Sequence, residues 1–172
     1  MLLLGAGTGN RVLFSRNAHR SALHAAALLG LSPEWIWPAE DGRPAAADVA
    51  EKLNKSKDIR AVYITSPDYY GRLADIPAIA AICRKAGVPL LVDNAHGSHL
   101  GAFGLHPLTL GAAMTADSAH KTLPVLTGGA ILHIGRGTDG KPFAGRAEAK
   151  AAMALFGSTS PSFPVLGSLD LA

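Results

Sequence analysis

The sequence predicts an α/β protein of three layers, αβα, in which a mostly parallel β-sheet lies between two layers of helices. Short apolar runs rich in β-branched residues alternate along the chain with longer alanine-rich segments, which is typical of consecutive strand–helix–strand units. The predicted strands are apolar throughout, as expected where both faces of a sheet are covered. A chain of 172 residues is long enough to bury one core, and no internal repeat or linker divides it.

The first half of the chain contains three predicted strands and two predicted helices. We expect the strands at residues 11–15, 35–37 and 61–65. We expect the helices at residues 20–29 and 45–54. Pro38 ends the second strand, and Gly30 ends the first helix. In the second helix, Val49 and Leu53 have the spacing of a buried helix face, so both are expected in the core.

The second half of the chain continues this alternation. A helix is expected to begin after Asp75, which is a favourable N-cap, with Pro77 in its first turn, and to end at Gly87. Further strands are expected at residues 88–92 and 130–134, and a helix at residues 146–156. Because ligands bind beyond the carboxyl ends of parallel strands, the segments that could carry chemistry are residues 15–21, 65–71, 93–99 and 118–122.

The composition excludes several classes of protein. Hydrophobic residues make up 48% of the chain and charged residues only 17%, which argues against an intrinsically disordered chain. The net charge is +3 with scattered Lys and Arg, so no nucleic-acid partner is expected. No apolar run approaches the ~20 residues of a membrane span, and the start lacks the basic segment of a signal peptide. We expect a cytoplasmic protein that does not enter a membrane, with Cys83, the single cysteine, as a core residue.

Asp93 is the first candidate for chemistry, because it directly follows a very apolar strand. A carboxylate there is desolvated on one side, which is costly unless a cationic partner faces it. Two structural alternatives are a helix N-cap and a carboxylate bonded to local backbone amides. The loop that follows adds Asn94, His96, the permissive Gly97 and His99. This concentration of polar groups favours a functional site.

A metal site in the same loop is an alternative, since Asp93, His96 and His99 are all possible ligands. Their spacing of three is compatible with one face of a helix, but it matches no established metal motif. We therefore predict no metal here and interpret His99 as structural.

Lys121 is the second candidate. A lone lysine is usually a solvated surface group, but this one lies between an apolar stretch and Leu123-Pro124, with Ser118, His120 and Thr122 beside it. These neighbours suggest a lined cavity. A desolvated lysine among hydroxyl and imidazole groups is suited to Schiff-base formation.

His19 is the third candidate, at a predicted strand-to-helix junction. On local grounds a helix cap is the simpler interpretation. The glycine-rich start at residues 5–10 invites a nucleotide-binding interpretation, but a dinucleotide loop needs a strand before it and a helix after it. A tight turn leading into the strand at residues 11–15 explains these glycines better.

Four segments, taken together, carry a resemblance to a known family. They are Ser-Arg-Asn-Ala-His-Arg-Ser at 15–21, Ile-Thr-Ser-Pro-Asp-Tyr-Tyr-Gly at 64–71, Leu-Val-Asp-Asn-Ala-His-Gly-Ser-His at 91–99 and Ser-Ala-His-Lys-Thr-Leu-Pro at 118–124. In this order they resemble the signature segments of the major domain of ornithine/lysine/arginine decarboxylases. The resemblance covers nearly the whole chain, including residues 158–162, and implies the large domain of a fold type I (aspartate aminotransferase-like) enzyme that uses pyridoxal 5'-phosphate (PLP).

The resemblance also implies a role for each candidate residue in binding the cofactor. Lys121 resembles the lysine that holds PLP as an internal aldimine, and Asp93 the carboxylate that keeps the pyridine nitrogen protonated. His19 resembles the imidazole stacked on one face of the ring, and Ala95 the small residue on the other face.

The resemblance implies three further roles. Ser118 and His120 resemble contacts to the phosphate or to the edge of the ring, and His96 resembles a residue near the substrate. The implied reaction is loss of the α-carboxylate from lysine, ornithine or arginine to give the corresponding amine, and the implied partner is this small-molecule substrate. Another fold type I activity, such as an aminotransferase or a lyase, and an inactive fragment of such an enzyme are the alternatives.

Two departures from the family pattern bear on these expectations. Asn94 stands where the family more often has an acidic residue, which would alter the hydrogen bonds around Asp93. Residues 1–172 also resemble only part of the major domain, because the family's phosphate-binding loop is expected upstream of Gly5 and its C-terminal domain beyond Ala172. Fold type I sites are usually built between two subunits, and residues 160–162 resemble a segment near that boundary, so a homodimer or larger assembly is expected.

Overall fold

The computed structural model describes residues 9–137 and 139–172, and in this part of the chain it shows one six-stranded sheet. The strands are β1 (Arg11–Ser15), β2 (Ser32–Ile36), β3 (Ile59–Thr65), β4 (Leu90–Asp93), β5 (Met114–Asp117) and β6 (Ile131–Ile134). Their order across the sheet is β2-β1-β3-β4-β5-β6. Neighbours from β2 to β5 pair in parallel, and β6 pairs with β5 antiparallel. The predicted mostly parallel sheet is confirmed, whereas most of the predicted turn at residues 5–10 lies outside the described residues.

Within residues 9–137 and 139–172, six helices connect or follow these strands. They are α1 (Arg20–Leu28), α2 (Ala46–Lys55), α3 (Ile76–Ala86), α4 (Ala119–Thr122), α5 (Arg146–Ala154) and α6 (Phe163–Asp170), and a 3-10 helix covers Ser98–Phe103. The ends of α3 are those that the sequence predicts. Asp75 Oδ1 accepts a hydrogen bond from the Ala78 amide at 3.1 Å, and Gly87 adopts the left-handed conformation that ends a helix, with φ of 70°.

Helices cover both faces of the sheet, so the protein has the three predicted layers. On one face α2 and α3 pack against side chains such as Leu13, Val62 and Val92. On the other face, α1 packs its buried alanines against a cluster that includes Phe14 and Leu91. Strand residues that are neighbours in sequence therefore enter opposite cores, which is why β1 and β4 each contain a run of three consecutive apolar residues.

The structure differs from the sequence expectation in several elements. Strand β5, the short helix α4, the 3-10 helix and α6 were not predicted. The residues of β5 read Met-Thr-Ala-Asp, with Thr115 and Asp117 buried, so its buried positions do not form an apolar pattern. Strand β2 begins at Ser32 rather than Trp35, and Pro33 is tolerated because β2 is an edge strand.

Cys83 is only 2% exposed and belongs to the buried face of α3, which packs into the core. Burial raises the pKa of its thiol to about 12, so the predicted core role is confirmed. Along the described residues, no helix combines the length and the apolar character that crossing a membrane requires.

Candidate active site

The carboxyl ends of the parallel strands bring the predicted segments to one edge of the sheet. Thr65 at the end of β3 is paired with Asp93 at the end of β4, and Asp93 is paired with Ala116 near the end of β5. The chain leaves all three strands at this edge. The segments that follow Thr65, Asp93 and Asp117 therefore start beside one another, as the sequence predicts.

Asp93 is half-buried, and both of its carboxylate oxygens are hydrogen-bonded. The Tyr63 hydroxyl donates to Oδ2 at 3.0 Å, and the Ala95 amide donates to Oδ1 at 3.1 Å. The hydrogen bond from the Ala95 amide matches one structural alternative considered from the sequence, a carboxylate bonded to local backbone amides. Burial, and then the negative charge of Asp93, raise the pKa of Tyr63 above its ordinary value, so the phenol stays protonated and donates. Sequence reasoning missed Tyr63, because a tyrosine inside a strand has no pattern that separates it from a core residue.

Lys121 lies in α4 and reaches the loop that follows β4. Its Nζ is 3.3 Å from Nε2 of His96, so two of the segments predicted to form the site are in direct contact. The prediction of a desolvated lysine is wrong for this chain, because Lys121 is exposed. Ala119 is the buried residue of this turn, and Lys121, two residues later, lies about 200° around the helix axis, on the opposite side.

The other predicted residues have mixed surroundings. Ala95 lies in the loop beside Asp93, to which its amide is bonded. Ser118 begins the α4 turn without a side-chain capping bond. The His120 ring is hydrogen-bonded through Nδ1 to the Gly129 carbonyl at 2.8 Å. His19 is the N-cap of α1, where Nδ1 accepts from the Ser21 amide and lies 2.8 Å from the Ser21 hydroxyl. The cap alternative for His19 is thus realised, and its ring is exposed.

A buried polar cluster lies directly behind these loops. Asp117 is 3% exposed and Asn94 is fully buried. The Asn94 amide nitrogen donates to Asp117 Oδ2 at 2.7 Å, and His106 Nε2 lies 3.0 Å from the same oxygen. The Thr115 hydroxyl donates to Oδ1 at 3.0 Å. Sequence reasoning missed this cluster, because its members lie on different elements and join only across the sheet.

Comparison with known protein families identifies the family of this chain. Residues 1–172 match the family described as "Orn/Lys/Arg decarboxylase, major domain". The chain belongs to this family. The resemblance that the four signature segments carry is therefore confirmed over the whole sequence.

Two curated relatives of this decarboxylase-family chain come from bacteria. It is 34% identical to the uncharacterized protein YaaO of Bacillus subtilis, over 100% of this chain and 37% of that protein. It is 30% identical to the arginine decarboxylase of Halalkalibacterium halodurans, over 100% of this chain and 36% of that protein. The chain thus spans a little over a third of the length of these relatives.

Solved structures share the fold of this decarboxylase-family chain. The crystal structure of mouse CSAD in apo form matches with a TM-score of 0.69 and 22% identity, covering 95% of this chain and 35% of that chain. The SepCysS–SepCysE N-terminal domain complex matches with a TM-score of 0.67 and 20% identity, covering 95% of this chain and 42% of that chain. Together with the family match and the mostly parallel sheet, these likenesses confirm the predicted fold type I class.

The residues at the edge of the sheet of this family member fit a cofactor such as PLP. The site offers the amine of Lys121, the carboxylate of Asp93 and the imidazoles of His96 and His120 on adjacent segments. Among the described residues, several buried polar side-chain atoms at this edge have no hydrogen-bond partner: Thr65 Oγ1, His96 Nδ1, Ser98 Oγ and Thr122 Oγ1. Buried polar atoms are normally paired, so a polar ligand that offers donors and acceptors suits this surface.

The buried cluster is better explained as a hydrogen-bond network than as a metal centre. Within the described ranges, the group of potential ligands that lie close together is His106, Asp117 and His133, and the alternative loop set of Asp93, His96 and His99 does not form such a group. The Leu108 amide donates to His106 Nδ1 at 3.3 Å. The neutral ring therefore carries its proton on Nε2 and donates it to Asp117. A metal on Nε2 would require the proton on Nδ1, where it would face the Leu108 N–H.

Gly97 provides a test of how tightly the Asp93 loop is packed in this protein. A Cβ at this position would lie 2.1 Å from Asn94 Oδ1 and 2.7 Å from Pro67 Cδ. We expect Gly97→Ala to lower the free energy of unfolding by about 1–3 kcal/mol, because the neighbours must shift to admit it. Denaturant unfolding measures this change. Gly101→Ala is the matched control, since a Cβ there meets nothing within 4 Å; equal effects of the two substitutions would contradict the packing argument.

Proposed function

We propose that the protein is a PLP-dependent decarboxylase of a basic amino acid, which converts lysine, ornithine or arginine to the corresponding amine. The observation that carries this proposal is the contact of Lys121 Nζ with His96 at 3.3 Å, on the loop that begins at Asp93. An amine and a carboxylate thereby belong to two adjoining loops at one edge of the sheet. The family match supports the decarboxylase class. The arginine decarboxylases among the relatives support a basic substrate.

PLP, when bound, supplies the electron sink that makes loss of the carboxylate possible, and the protein supplies orientation and electrostatics. In this proposal Lys121 holds the cofactor covalently, and Asp93 pairs with the pyridine nitrogen. Ala95 and His19 pack against the two faces of the ring, and Ser118 contacts its phosphate or its edge. His120, whose Nδ1 is engaged by Gly129, has Nε2 left for such a contact.

Tyr63 and Ala95 keep the Asp93 carboxylate in place from the protein side. Their two hydrogen bonds use one lone pair on each oxygen. A carboxylate offers about four acceptor positions, so Asp93 can still accept from a further donor such as a protonated ring nitrogen. Neither Tyr63 nor Ala95 provides a positive charge, so these two contacts do not neutralise the negative charge of Asp93.

His96 is placed to exchange a proton with Lys121. An ammonium has only donors, so a protonated Lys121 donates to Nε2 of a neutral His96 ring. When the ring is protonated instead, Nε2–H donates to the free amine. The contact of 3.3 Å thus serves both states, which suits a lysine that must become a nucleophile. The nearby Tyr69 ring lies edge-on to the imidazole, with the ring centroids 5.9 Å apart.

We also propose that the complete site is formed in the cytoplasm by a homodimer or larger assembly. Large apolar side chains are exposed on both sides of the predicted boundary segment at residues 160–162. Phe156 is 72% exposed and Phe163 is 80% exposed. Large exposed aromatic side chains near a predicted boundary segment are consistent with a surface that is covered in an assembly.

The decisive experiment incubates the purified protein with PLP and, separately, with lysine, ornithine and arginine. We expect release of carbon dioxide together with cadaverine, putrescine or agmatine from one of the three. Formation of a keto acid would instead show an aminotransferase. Absence of any product, in a preparation that binds PLP, would contradict the proposed activity.

A further inference from the structure

The hydrogen bond between Asn94 and Asp117 joins the two strand ends that carry the candidate active-site groups. Asn94 directly follows Asp93, and Asp117 directly precedes Ser118, where the Lys121 turn begins. The backbone reinforces the same connection, because the Asn94 amide donates to the Ala116 carbonyl at 2.9 Å. One side-chain and one backbone hydrogen bond therefore hold together the points at which the loops after β4 and β5 begin.

The charge balance of this contact is asymmetric. The Asp117 carboxylate accepts from Asn94 and Thr115 and pairs with the His106 ring, so its hydrogen-bond donors are neutral groups. His133 Nε2 lies 3.8 Å away, and burial lowers the pKa of His133, which disfavours a compensating positive charge there. The site holds one carboxylate without a permanent cation, and a second buried carboxylate at 2.7 Å would have no compensation.

The orientation of the Asn94 amide is fixed as well. Its nitrogen must face Asp117, which offers only lone pairs. Its oxygen then points at the space left by Gly97, where an added Cβ would lie 2.1 Å away. The amide is held between a carboxylate and a glycine that leaves room for its oxygen.

We propose that Asn94 and Asp117 are a matched pair of positioning residues, which holds the Asp93 and Lys121 loops together and tolerates only one negative charge between its two members. The positioning role rests on the proposed function, in which both loops contact one cofactor. The pairing itself does not depend on that function. Asn94→Asp puts two carboxylates in contact, whereas the exchange Asn94→Asp with Asp117→Asn restores one carboxylate and one amide in the reverse order.

Thermal unfolding of the apo-protein tests the pairing. We expect Asn94→Asp to lower the Tm by about 5–10 °C, which is the scale of a severe buried substitution in a chain of this size. Asp117→Asn also lowers the Tm, because one carboxylate oxygen becomes an NH₂ donor and the Asn94, Thr115 and His106 groups must then share a single acceptor oxygen. The double variant should regain more than half of the loss seen in Asn94→Asp. Tm changes that simply add would overturn the pairing, since neighbours that interact are non-additive. Asn54→Asp, on the exposed surface of α2, controls for added charge and should leave the Tm nearly unchanged.

Hydrogen–deuterium exchange and PLP titration test the positioning role. In Asn94→Asp, peptides that cover residues 93–99 and 118–123 should both exchange faster, and binding of PLP, followed by absorption, should weaken about tenfold, or about 1.4 kcal/mol. The double variant should reverse both effects. Faster exchange in one loop alone, or unaltered PLP affinity in a variant with a lowered Tm, would overturn the role.

If the unsubstituted protein binds no PLP, the proposed function fails, while the Tm cycle still decides the pairing. One equivalent of copurifying zinc that is lost in Asp117→Asn would also overturn the proposal, because Asp117 would then be a metal ligand.

Discussion

Substitution of Lys121 by alanine is expected to abolish decarboxylation, with a loss of on the order of 10⁴-fold or more in kcat/KM, the scale reached when a group that forms the covalent bond is removed. The lysine is exposed in α4, so the substitution removes a functional amine without opening a cavity. We expect the Tm to stay within about 1–2 °C, because surface substitutions change stability little. The visible absorption that develops when PLP is added to the unsubstituted protein should be absent.

The control for this experiment is Lys85→Ala, in the last turn of α3, which removes another exposed lysine. It should retain both activity and visible absorption. A Lys121→Ala protein that still develops the same absorption with PLP would show that another amine holds the cofactor, and the assignment of Lys121 would be wrong.

Substitution of Asp93 by asparagine is expected to lower kcat by about 10²- to 10³-fold, the effect of removing one preorganised electrostatic contact to developing charge. Asparagine preserves the shape of the side chain. Its oxygen can accept from the Ala95 amide, and its NH₂ can donate to the Tyr63 hydroxyl, which is able to accept as well as donate. The loop should therefore keep its structure while the negative charge is lost. Steady-state kinetics should show the loss mainly in kcat rather than in KM.

Asp139→Asn serves as the matched control, since Asp139 is an exposed aspartate in the loop between β6 and α5. Its kcat should equal that of the unsubstituted protein. An Asp93→Asn protein with undiminished kcat would mean that the Asp93 charge is not used by the reaction, and the carboxylate would then be a structural acceptor for Tyr63 and Ala95.

Much of the fold could be predicted because its signals are local. The residues of β1 and the two ends of α3 were predicted correctly, since a short apolar run, an N-cap aspartate and a helix-ending glycine act on their own neighbours. Strand β5 escaped prediction for the opposite reason. Thr115 and Asp117 are polar. Their burial depends on contacts with the Asp117 carboxylate from Asn94 and His106, which lie on other segments of the chain.

The candidate site divides in the same way. Asp93 and His96 could be selected from the sequence because their segment follows a predicted strand, and Lys121 because of its polar neighbours and because its segment matches the family in order. Tyr63 could not be selected, because its role depends on the parallel pairing of β3 with β4. The exposure of Lys121 was also predicted wrongly, since it depends on which side of a single helical turn faces the core.

The sequence by itself determined the alternation of strands and helices, the decarboxylase family and the segments that hold the reactive groups, because each is carried by residues adjacent along the chain. Only the tertiary structure decided which polar groups meet. The bonds of Tyr63 with Asp93 and of Asn94 with Asp117 join residues that are 30 and 23 positions apart. Such contacts exist only after the sheet has formed, since pairing of the strands sets the distance between them.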